Sequence, residues 1–304
     1  MRHFLNVIDL SKDELILLLQ QSARLKAARL RGLPTPSLTG KVVALVFEKP
    51  SLRTRASFEA GVAQLGGTSL FFPAVEIGLG VRETLADFSR TMSRYVDAMV
   101  FRVFQHSTLT GIAADATIPV INGLSDWSHP CQALADLMTM QEHLGGIEGK
   151  TVVFVGDGNN VARSLAVGCG MMGAKFVLAC PKGYGFDAPF LEGFRAKVPM
   201  AHLVENHDPL KAVAKADVIY TDVWTSMGQE AEREERLRRF TGFQVNATLL
   251  AKAPSHCKVL HCLPAHRGEE ITDDAVDGPQ SVVFDQAENR LHAQKAVLEW
   301  LIKS

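Results

Sequence analysis

The chain has 304 residues, enough for about two domains of ordinary size. It carries 32 lysines and arginines against 33 aspartates and glutamates, for a formal net charge of −1, so it lacks the basic surplus of proteins that coat nucleic acids. Hydrophobic residues make up 47% and charged residues 21%, a balance typical of a folded globular protein and too apolar for a disordered one.

The sequence favours a cytoplasmic location. No apolar run approaches the ~20 residues that a membrane-spanning helix needs. Asp9 and Asp13 interrupt the stretch where a signal peptide would be uninterruptedly apolar. The five cysteines form no CxxC pair, so we expect reduced thiols rather than a disulfide framework.

The first half of the chain alternates predicted helices and strands. Ser11 and Glu14 have the spacing of a capping box, which predicts the start of a helix. The apolar, β-branched run at 41–47 is typical of a strand buried on both faces. The other elements predicted here are helices at 51–65 and 132–143 and strands at 98–101 and 119–121.

The alternation restarts at Lys150 with a predicted strand at 151–155 and a predicted helix at 161–172. Further strands are predicted at 176–179, 217–220, 258–261 and 281–284, and a last helix at 293–303. Such alternation indicates parallel sheets with right-handed crossovers.

We therefore predict an α/β protein with two doubly wound parallel-sheet domains of similar size, joined by helices. The predicted domains are 1–146 and 147–290, with the C-terminal helix at 291–304 packing back on the first. In open sheets of this kind, ligands bind beyond the carboxyl ends of the strands. The active site is accordingly expected in the cleft between the domains, lined by residues that follow strands.

A strand-to-helix junction at 47–55, Phe-Glu-Lys-Pro-Ser-Leu-Arg-Thr-Arg, is a candidate anion site. Free backbone N–H groups and the positive end of a helix dipole suit an anion there. Ser51 and Thr54 add hydroxyl groups. Arg53 and Arg55 add guanidinium groups that match phosphate oxygens. The alternative is a Ser-capped helix with two arginines facing solvent.

Two further polar residues lie near predicted strand ends. Arg102 follows the run at 98–101 and alone indicates little, because arginines after strands are common on protein surfaces. His129 precedes Pro130, which suits the first position of a helix. Beside a helix N-terminus a neutral imidazole is favoured, and it can donate a hydrogen bond to a developing oxyanion. The alternative is a helix start with a packed Cys131.

The turn at 156–161, Gly-Asp-Gly-Asn-Asn-Val, partly matches a dinucleotide-binding fingerprint. Val161 replaces its third glycine. The next strand ends in Cys-Pro-Lys at 180–182, where an acidic residue would bind the ribose hydroxyl. A nicotinamide cofactor is therefore disfavoured. Asn160 is a candidate for binding a carboxylate or an amine, or else a helix cap.

Asp222 closes a predicted strand, where it can pair with a cationic substrate or simply form a turn. The charged run at 230–239 follows it. Glu232 and Arg236 have the spacing of a helical ion pair, so this run is predicted to be a solvated helix without an active role.

The segment 256–266 contains three histidines and two cysteines, which raises a zinc hypothesis. Strand alternation places Cys257 and His261 on one face and Cys262 on the other. Tetrahedral zinc needs convergent ligands at ~2.0–2.3 Å, so we predict no metal here. Cys262, before a predicted extended Leu-Pro at 263–264, is favoured as a lone thiol of the site.

Together these segments resemble the motifs of the carbamoyltransferases. The run at 51–55 is similar to that family's Ser-Thr-Arg-Thr-Arg, and His-Pro-Cys-Gln at 129–132 is similar to its His-Pro-x-Gln. Two motifs resemble the ornithine branch: Asp-Val-Trp-Thr-Ser-Met-Gly at 222–228 and His-Cys-Leu-Pro at 261–264. The aspartate branch has His-Pro-Leu-Pro at the last position. The motifs occur in the expected order over nearly the whole chain.

The resemblance implies that carbamoyl phosphate and L-ornithine react to give L-citrulline and phosphate, in arginine metabolism. It implies no metal, organic cofactor, nucleic acid or membrane. It also implies a homotrimer, or a multiple of trimers, with sites between subunits.

The resemblance further implies which residues form the site. The catalytic residues would be Arg102, His129, Cys262 and Asp222. Carbamoyl phosphate would contact Ser51, Leu52, Arg53, Thr54, Arg102, His129, Gln132, Cys262, Leu263 and Arg290. Ornithine would contact Asn160, Asp222, Ser226 and Met227.

Two positions depart from the family's pattern. Leu52 stands where the family usually has threonine, although its neighbours keep their hydroxyl and charged groups. In the loop at 75–84, the family often has a glutamine that reaches carbamoyl phosphate across a subunit boundary. Glu76 or Gly78 aligns with it here, and a carboxylate near phosphate would be repulsive. Arg82 is a candidate to compensate.

Three alternatives stay open from the sequence. One is a carbamoyltransferase for another amine, such as putrescine or an N-acylated ornithine. Another is a non-catalytic binding protein on the same fold, since a fold does not fix a function. The third is a nucleotide-binding oxidoreductase.

Overall fold

A computed structural model describes residues 1–225 and 230–302 of the chain. The chain divides into two compact units. Unit 1 comprises Met1–Leu134 together with the residues from Asn289 onward, and unit 2 comprises Ala135–Glu288. Both divisions fall within helices, at Pro130–Leu144 and at Val283–Ile302.

Unit 1 is built on a four-stranded sheet whose strand pairs are all parallel. Its strands are β1 (Val42–Phe47), β2 (Thr68–Pro73), β3 (Ala98–Arg102) and β4 (Val120–Leu124), in the order β2-β1-β3-β4. Its helices are α1 (Lys12–Leu30), α2 (Leu52–Gln64), α3 (Ala74–Ile77), α4 (Leu85–Met92), α5 (His106–Asp115) and the start of α6 (Pro130–Leu144).

Unit 2 is built on a five-stranded, fully parallel sheet. Its strands are β5 (Thr151–Val155), β6 (Lys175–Ala179), β7 (His202–Asn206), β8 (Val218–Thr221) and β9 (Lys258–His261), in the order β7-β6-β5-β8-β9. The helices that follow α6 along the chain are α7 (Asn160–Met171), α8 (Ala188–Lys197), α9 (Pro209–Ala212), α10 (Arg233–Arg239), α11 (Ala247–Leu250), α12 (Asp273–Asp277) and α13 (Val283–Ile302). From Asn289 onward, α13 belongs to unit 1. The prediction of two parallel-sheet α/β domains is confirmed.

Local sequence signals set several element boundaries. The capping box predicted for α1 is present: the Glu14 N–H donates to Ser11 Oγ at 3.2 Å, and the Ser11 N–H donates to Glu14 Oε2 at 2.8 Å. After α2 the chain turns at Gly66, whose φ of 81° favours glycine. A Cβ on the next residue, Gly67, would lie 3.1 Å from the Lys41 carbonyl oxygen, so close backbone packing leads the chain into β2.

The cores are formed by the strands and the helices that cover them. The residues of β1 from Val43 to Val46 are fully buried, as expected for a strand covered on both faces. In unit 1, Phe101 of β3 packs edge-on against Phe88, with ring centroids 6.2 Å apart. In unit 2, Phe154 stacks on Tyr220 of the neighbouring strand at 5.2 Å.

The structure corrects the sequence analysis at three elements. The strands β2 and β7 were not predicted; both lie at sheet edges, where partly exposed polar residues weaken the apolar pattern. The strand predicted at 281–284 is wrong. Ser281 makes only an isolated bridge to Val259, and α13 begins at Val283 rather than at Ala293.

The longest helices do not have the composition of membrane spans. The helices α1 and α13 have 19 and 20 residues, and both carry charged side chains along their length. Among the residues that the structure describes, no helix is both long and apolar enough to cross a bilayer.

The packing of β3 leads to a prediction on stability. Phe101→Ala should lower the free energy of unfolding by about 3–5 kcal/mol, because it removes a fully buried ring and leaves a cavity. Phe104→Ala is the matched control, since the Phe104 side chain is 46% exposed. Urea unfolding followed by circular dichroism measures both. Equal effects of the two substitutions would contradict this account of the core.

Candidate active site

The junction between β1 and α2 presents hydroxyl and backbone groups at a helix N-terminus. Ser51 occupies the N-cap position with extended backbone, but its hydroxyl makes no capping hydrogen bond. The Ser-capped alternative is therefore not what the structure has. Leu52 is 79% exposed, so its side chain adds nothing to the core and its backbone N–H lies in the first turn of α2. This end of α2 suits an anion.

Thr54 is the point on which two cationic side chains of unit 1 converge. Its hydroxyl oxygen lies 2.7 Å from Arg290 Nη2 and 3.4 Å from Arg102 Nη1. Arg102 ends β3, Arg290 lies in α13, and both Thr54 and Arg290 are buried. Two guanidinium groups on one hydroxyl make a strongly positive site, which favours an anionic ligand.

The two arginines of the 51–55 run have different surroundings. Arg55 donates from Nε to Glu59 Oε1 at 2.9 Å and stacks on Phe71, 3.7 Å from the ring centroid. The Arg53 guanidinium is half-buried and makes no hydrogen bond or ion pair with another described residue. Arg53 thus keeps its donors for a ligand, whereas Arg55 packs against its own neighbours, contrary to the sequence expectation for it.

His129 and Gln132 begin α6 and are almost completely buried. Burial lowers the pKa of His129 well below its usual value, and the positive charges of Arg290 and Arg102 lower it further. The imidazole is therefore neutral at neutral pH, as the sequence analysis expected. The neighbouring Cys131 is a packed thiol: burial raises its pKa to about 12, and its Sγ donates to the Asn122 carbonyl at 3.4 Å.

The loop at 75–84 places its polar side chains at the surface of unit 1. Glu76, at the end of α3, and Arg82 are both exposed. Gly78 has a φ of 62°, and the stem of Arg82 packs against it so closely that a Cβ would lie 2.5 Å from Arg82 Cγ. Val75 and Val81 are more than four-fifths exposed.

In unit 2, three polar side chains meet at the carboxyl ends of β5, β8 and β9. Asp222 accepts a hydrogen bond from Asn159 Nδ2 at 3.0 Å and one from Cys262 Sγ at 3.0 Å. Asn159 also caps α7, because its Oδ1 accepts from the Val161 and Ala162 N–H groups. Sequence reasoning selected Asn160 and missed Asn159, although an asparagine one position before a helix is a known capping signal.

Of the other residues of this unit that were predicted to bind ornithine, the structure describes only Asn160. Asn160 is half-buried in the first turn of α7, and its Oδ1 accepts from the Val161 N–H at 3.0 Å. Ser226 and Met227 lie outside the described residues.

The turn at 261–264 is held by a buried histidine. The Leu263 N–H donates to His261 Nδ1 at 2.9 Å, so Nε2 carries the proton and donates to Glu270 Oε1 at 3.0 Å. Leu263 has a φ of 55°, and its peptide bond to Pro264 is cis, so the predicted extended conformation is wrong. Both ring nitrogens of His261 are engaged, which argues against the zinc hypothesis for this histidine.

Arg236 is buried, which corrects the prediction of a solvated helix at 230–239. Its Nη1 donates to Asp157 Oδ2 at 2.8 Å and to the Trp224 carbonyl at 3.1 Å, while Nε donates to Glu232 at 3.0 Å. Burial raises the pKa of Asp157 to about 6, although Arg236 lowers it. The predicted Glu232 pair is present, but the partner of Arg236 at Asp157 lies 79 residues away in sequence and had no local signal.

The glycine turn at 156–158 is filled by protein backbone. The Gly158 N–H donates to the Tyr184 carbonyl at 2.8 Å, and a Cβ on Gly158 would lie 2.7 Å from the Gly185 carbonyl oxygen. Gly158 therefore serves close packing of the 183–186 loop. This further disfavours a dinucleotide, whose pyrophosphate would need that space.

Comparison with known families identifies the class of protein. The carbamoyl-P binding domain of the aspartate/ornithine carbamoyltransferases matches residues 2–142, and their Asp/Orn binding domain matches residues 148–301. The chain therefore belongs to the aspartate/ornithine carbamoyltransferase family, and the resemblance drawn from its motifs is confirmed.

Individual relatives are similar over almost the whole chain. The anabolic ornithine carbamoyltransferase of Pyrococcus furiosus is 51% identical over 98% of this chain and 95% of its own length. A solved structure of ornithine carbamoyltransferase from Pyrococcus furiosus aligns with a TM-score of 0.96 at 50% identity, covering 100% of this chain and 97% of that one. The enzyme from Thermus thermophilus aligns with a TM-score of 0.89 at 45% identity, covering 98% of both chains.

The buried Asp157 leads to a prediction on pH dependence. Its pKa in the folded chain, about 6, exceeds the unfolded value of 3.8, so the folded state binds more protons between these values. The contribution of Asp157 to the free energy of unfolding should therefore fall as the pH rises from about 4 to about 6, by on the order of 2–3 kcal/mol.

Asp157→Asn removes this titration, so the wild-type minus variant difference in unfolding free energy should decline over that pH range. Urea unfolding at a series of pH values measures it. Asp274→Asn, at an exposed aspartate of α12, is the matched control. A wild-type minus Asp157→Asn difference that stays constant with pH would contradict the assignment.

Proposed function

We propose that the protein transfers the carbamoyl group of carbamoyl phosphate to the δ-amine of L-ornithine, giving L-citrulline and phosphate. The observation that carries this proposal is the convergence of Arg102 and Arg290 on Thr54, in a unit that also holds a neutral, buried His129. The near-complete similarity to ornithine carbamoyltransferases supports ornithine rather than another amine.

Carbamoyl phosphate is assigned to the first predicted domain, residues 1–146, with the C-terminal helix at 291–304. The phosphate would be held by the N-terminal groups of α2, with Ser51, the backbone of Leu52, Arg53 and Thr54 as donors. The residues assigned to the carbamoyl group are Arg102, His129, Gln132 and Arg290. Arg102 would also contact the phosphate and so bridge the two groups. A dianionic ligand suits this unit because two guanidinium groups lie within hydrogen-bonding distance of the Thr54 hydroxyl, beside the N-terminus of α2.

Ornithine is assigned to the second predicted domain, residues 147–290. Asp222 would attract the cationic amino acid, together with Asn160, Ser226 and Met227. Cys262 and the Leu263 carbonyl would contact the carbamoyl group where the amine attacks. The Cys262–Asp222 hydrogen bond supports a shared role in taking up the amine proton.

The chemistry follows from these groups. An alkylamine has a pKa near ~10.4, so the site must favour the neutral δ-amine, which attacks the carbamoyl carbon. The new C–N bond gives a tetrahedral oxyanion that Arg102, Thr54 and His129 would stabilise. The C–O bond to phosphate then breaks, and the leaving phosphate is held by Ser51 and Arg53. The amine proton passes toward Asp222, and no covalent bond to Cys262 is required.

The proposed assembly is a homotrimer, or a multiple of trimers, in the cytoplasm. Leu52 and, in the 75–84 loop, Val75 and Val81 are exposed apolar side chains of unit 1, which supports contact with a partner subunit. Arg82, exposed in the same loop, is the proposed replacement for the family's glutamine. All five cysteines are free thiols, which agrees with a reducing compartment.

A panel of amines tests the proposed reaction. With carbamoyl phosphate, we expect citrulline from L-ornithine and far lower kcat/KM for putrescine, N-acetylornithine and L-aspartate. Product formation is measured by colorimetric assay and mass spectrometry. Preferred turnover of another amine would overturn the ornithine assignment, and no turnover with any amine would overturn the proposed activity.

Two substitutions separate the roles of the two units. Arg102→Ala should lower kcat by about 10²–10³, because an oxyanion donor is lost. Cys262→Ala should mainly raise the KM for ornithine, by about tenfold, because a hydrogen bond near the amine is removed. Arg90→Ala, at an exposed ion pair, and Cys257→Ala, at a buried thiol outside the site, are the controls. Steady-state kinetics of either site variant indistinguishable from wild type would refute its assigned role.

A further inference from the structure

The carboxyl ends of β6 and β7 bring together three side chains of different chemistry. Cys180 follows β6, Glu205 lies near the end of β7, and His207 follows β7. The strand register pairs Ala179 with Asn206, which sets Cys180 and His207 side by side. A thiol sulfur, a carboxylate oxygen and an imidazole nitrogen lie within 4.8 Å of one another.

His207 is oriented as metal-binding histidines commonly are. Its Nδ1 lies 2.9 Å from the Cys180 carbonyl oxygen, which can only accept, so Nδ1 carries a proton. In the neutral ring the lone pair is then on Nε2, which lies 3.8 Å from Glu205 Oε1. Histidine ligands usually donate their second ring N–H to a backbone carbonyl or a carboxylate in this way. Two acceptors facing each other leave a place for a proton or a cation between them.

The surroundings of the cluster add negative charge and room for the carboxylate. Glu205 packs over Gly185, where any Cβ would clash with the carboxylate group. The charge of the Glu205 carboxylate favours a cation at this place.

We infer that Cys180, Glu205 and His207 form a binding site for one borderline divalent cation such as Zn²⁺ or Co²⁺. Tetrahedral coordination with bonds of ~2.0–2.3 Å places ligand atoms roughly 3.3–3.6 Å apart, and the distance between His207 Nε2 and Glu205 Oε1 is near this range. A sulfur, nitrogen and oxygen set selects such cations over Mg²⁺ and Ca²⁺. Water would complete the coordination, and the bound thiol would lose its proton to solvent.

A cation bound to these three residues would stabilise the loop at 180–186, which packs on the glycine turn at 156–158. The loop at 180–186 begins at Cys180, and its Tyr184 carbonyl accepts from the Gly158 N–H at 2.8 Å. None of the three ligands belongs to the residues assigned to either substrate. The inference therefore goes beyond the proposed function and does not depend on it.

Cobalt titration of the full-length, chelator-treated protein tests the site. Co²⁺ should bind with a stoichiometry of one at the cluster and give a sulfur-to-cobalt charge-transfer band in the near ultraviolet. His207→Ala, at a partly exposed side chain, and Cys180→Ser should each weaken this binding at least about a hundredfold. Cys180→Ser should also abolish the sulfur band.

Three further variants serve as controls. His202→Ala alters an exposed histidine of the same strand, and His266→Ala alters a second group of His and Glu side chains. Both should bind cobalt as the wild type does. Cys262→Ser should keep the band, because the sulfur ligand is Cys180.

Either of two results would overturn the site: no stoichiometric cobalt binding by the wild type, or a band that survives both His207→Ala and Cys180→Ser. A band lost only in Cys262→Ser would place the metal at the substrate site and overturn the inference equally. Circular dichroism confirms that each variant is folded. The cobalt titration does not depend on the amine assay. A protein without carbamoyl transfer to ornithine could still bind cobalt here, and an active enzyme could fail to bind it, so each proposal is tested on its own.

Discussion

Parallel strand pairing is the constraint from which the placement of functional groups follows. Every strand pair in both sheets is parallel, so the carboxyl ends of neighbouring strands meet at one edge of each sheet. In unit 1 this edge carries the N-terminus of α2 and Arg102. In unit 2 it carries Asp222 and Cys262, which come from adjacent strands and touch. Residues far apart in sequence converge because strand ends converge.

The side chains at this edge include arginines in unit 1 and an aspartate in unit 2. Unit 1 places the guanidinium groups of Arg102 and Arg290 against the Thr54 hydroxyl, which concentrates positive charge at one place. The same positive charges, together with burial, hold His129 neutral, which makes it a hydrogen-bond donor rather than a third cation. Unit 2 instead presents a carboxylate held by an amide and a thiol. The proposed assignment of an anionic substrate to unit 1 and a cationic amine to unit 2 rests on this difference in charge.

Sequence reasoning identified the elements that bury a continuous apolar run and the residues that follow them. It located β1, β5 and β9 closely because apolar strands covered on both faces have a strong composition signal. It missed β2 and β7, whose edge positions leave them partly polar. The strand predicted at 281–284 failed because its apolar residues begin a helix instead.

Within the site, local patterns could select His129 but could not locate long-range pairs. The charged sequence neighbours of Arg236 predict a solvated helix, whereas its partner Asp157, 79 residues away in sequence, is brought to it only by the fold. The backbone conformation of Leu263 was not predicted for a different reason: a residue before proline normally avoids the φ of 55° that Leu263 adopts.

The Arg236–Asp157 pair has a consequence for the charge that unit 2 presents. Asp157 and Asp222 are both buried carboxylates, and the charge of Asp222 raises the pKa of Asp157. Burial is the larger cause of that rise, and a neighbouring cation opposes it. Arg236 contacts Asp157 directly and so compensates that carboxylate. Asp222 instead accepts hydrogen bonds from the neutral Asn159 amide and the Cys262 thiol, so of the two carboxylates it is Asp222, rather than the ion-paired Asp157, that the proposal assigns to the amine.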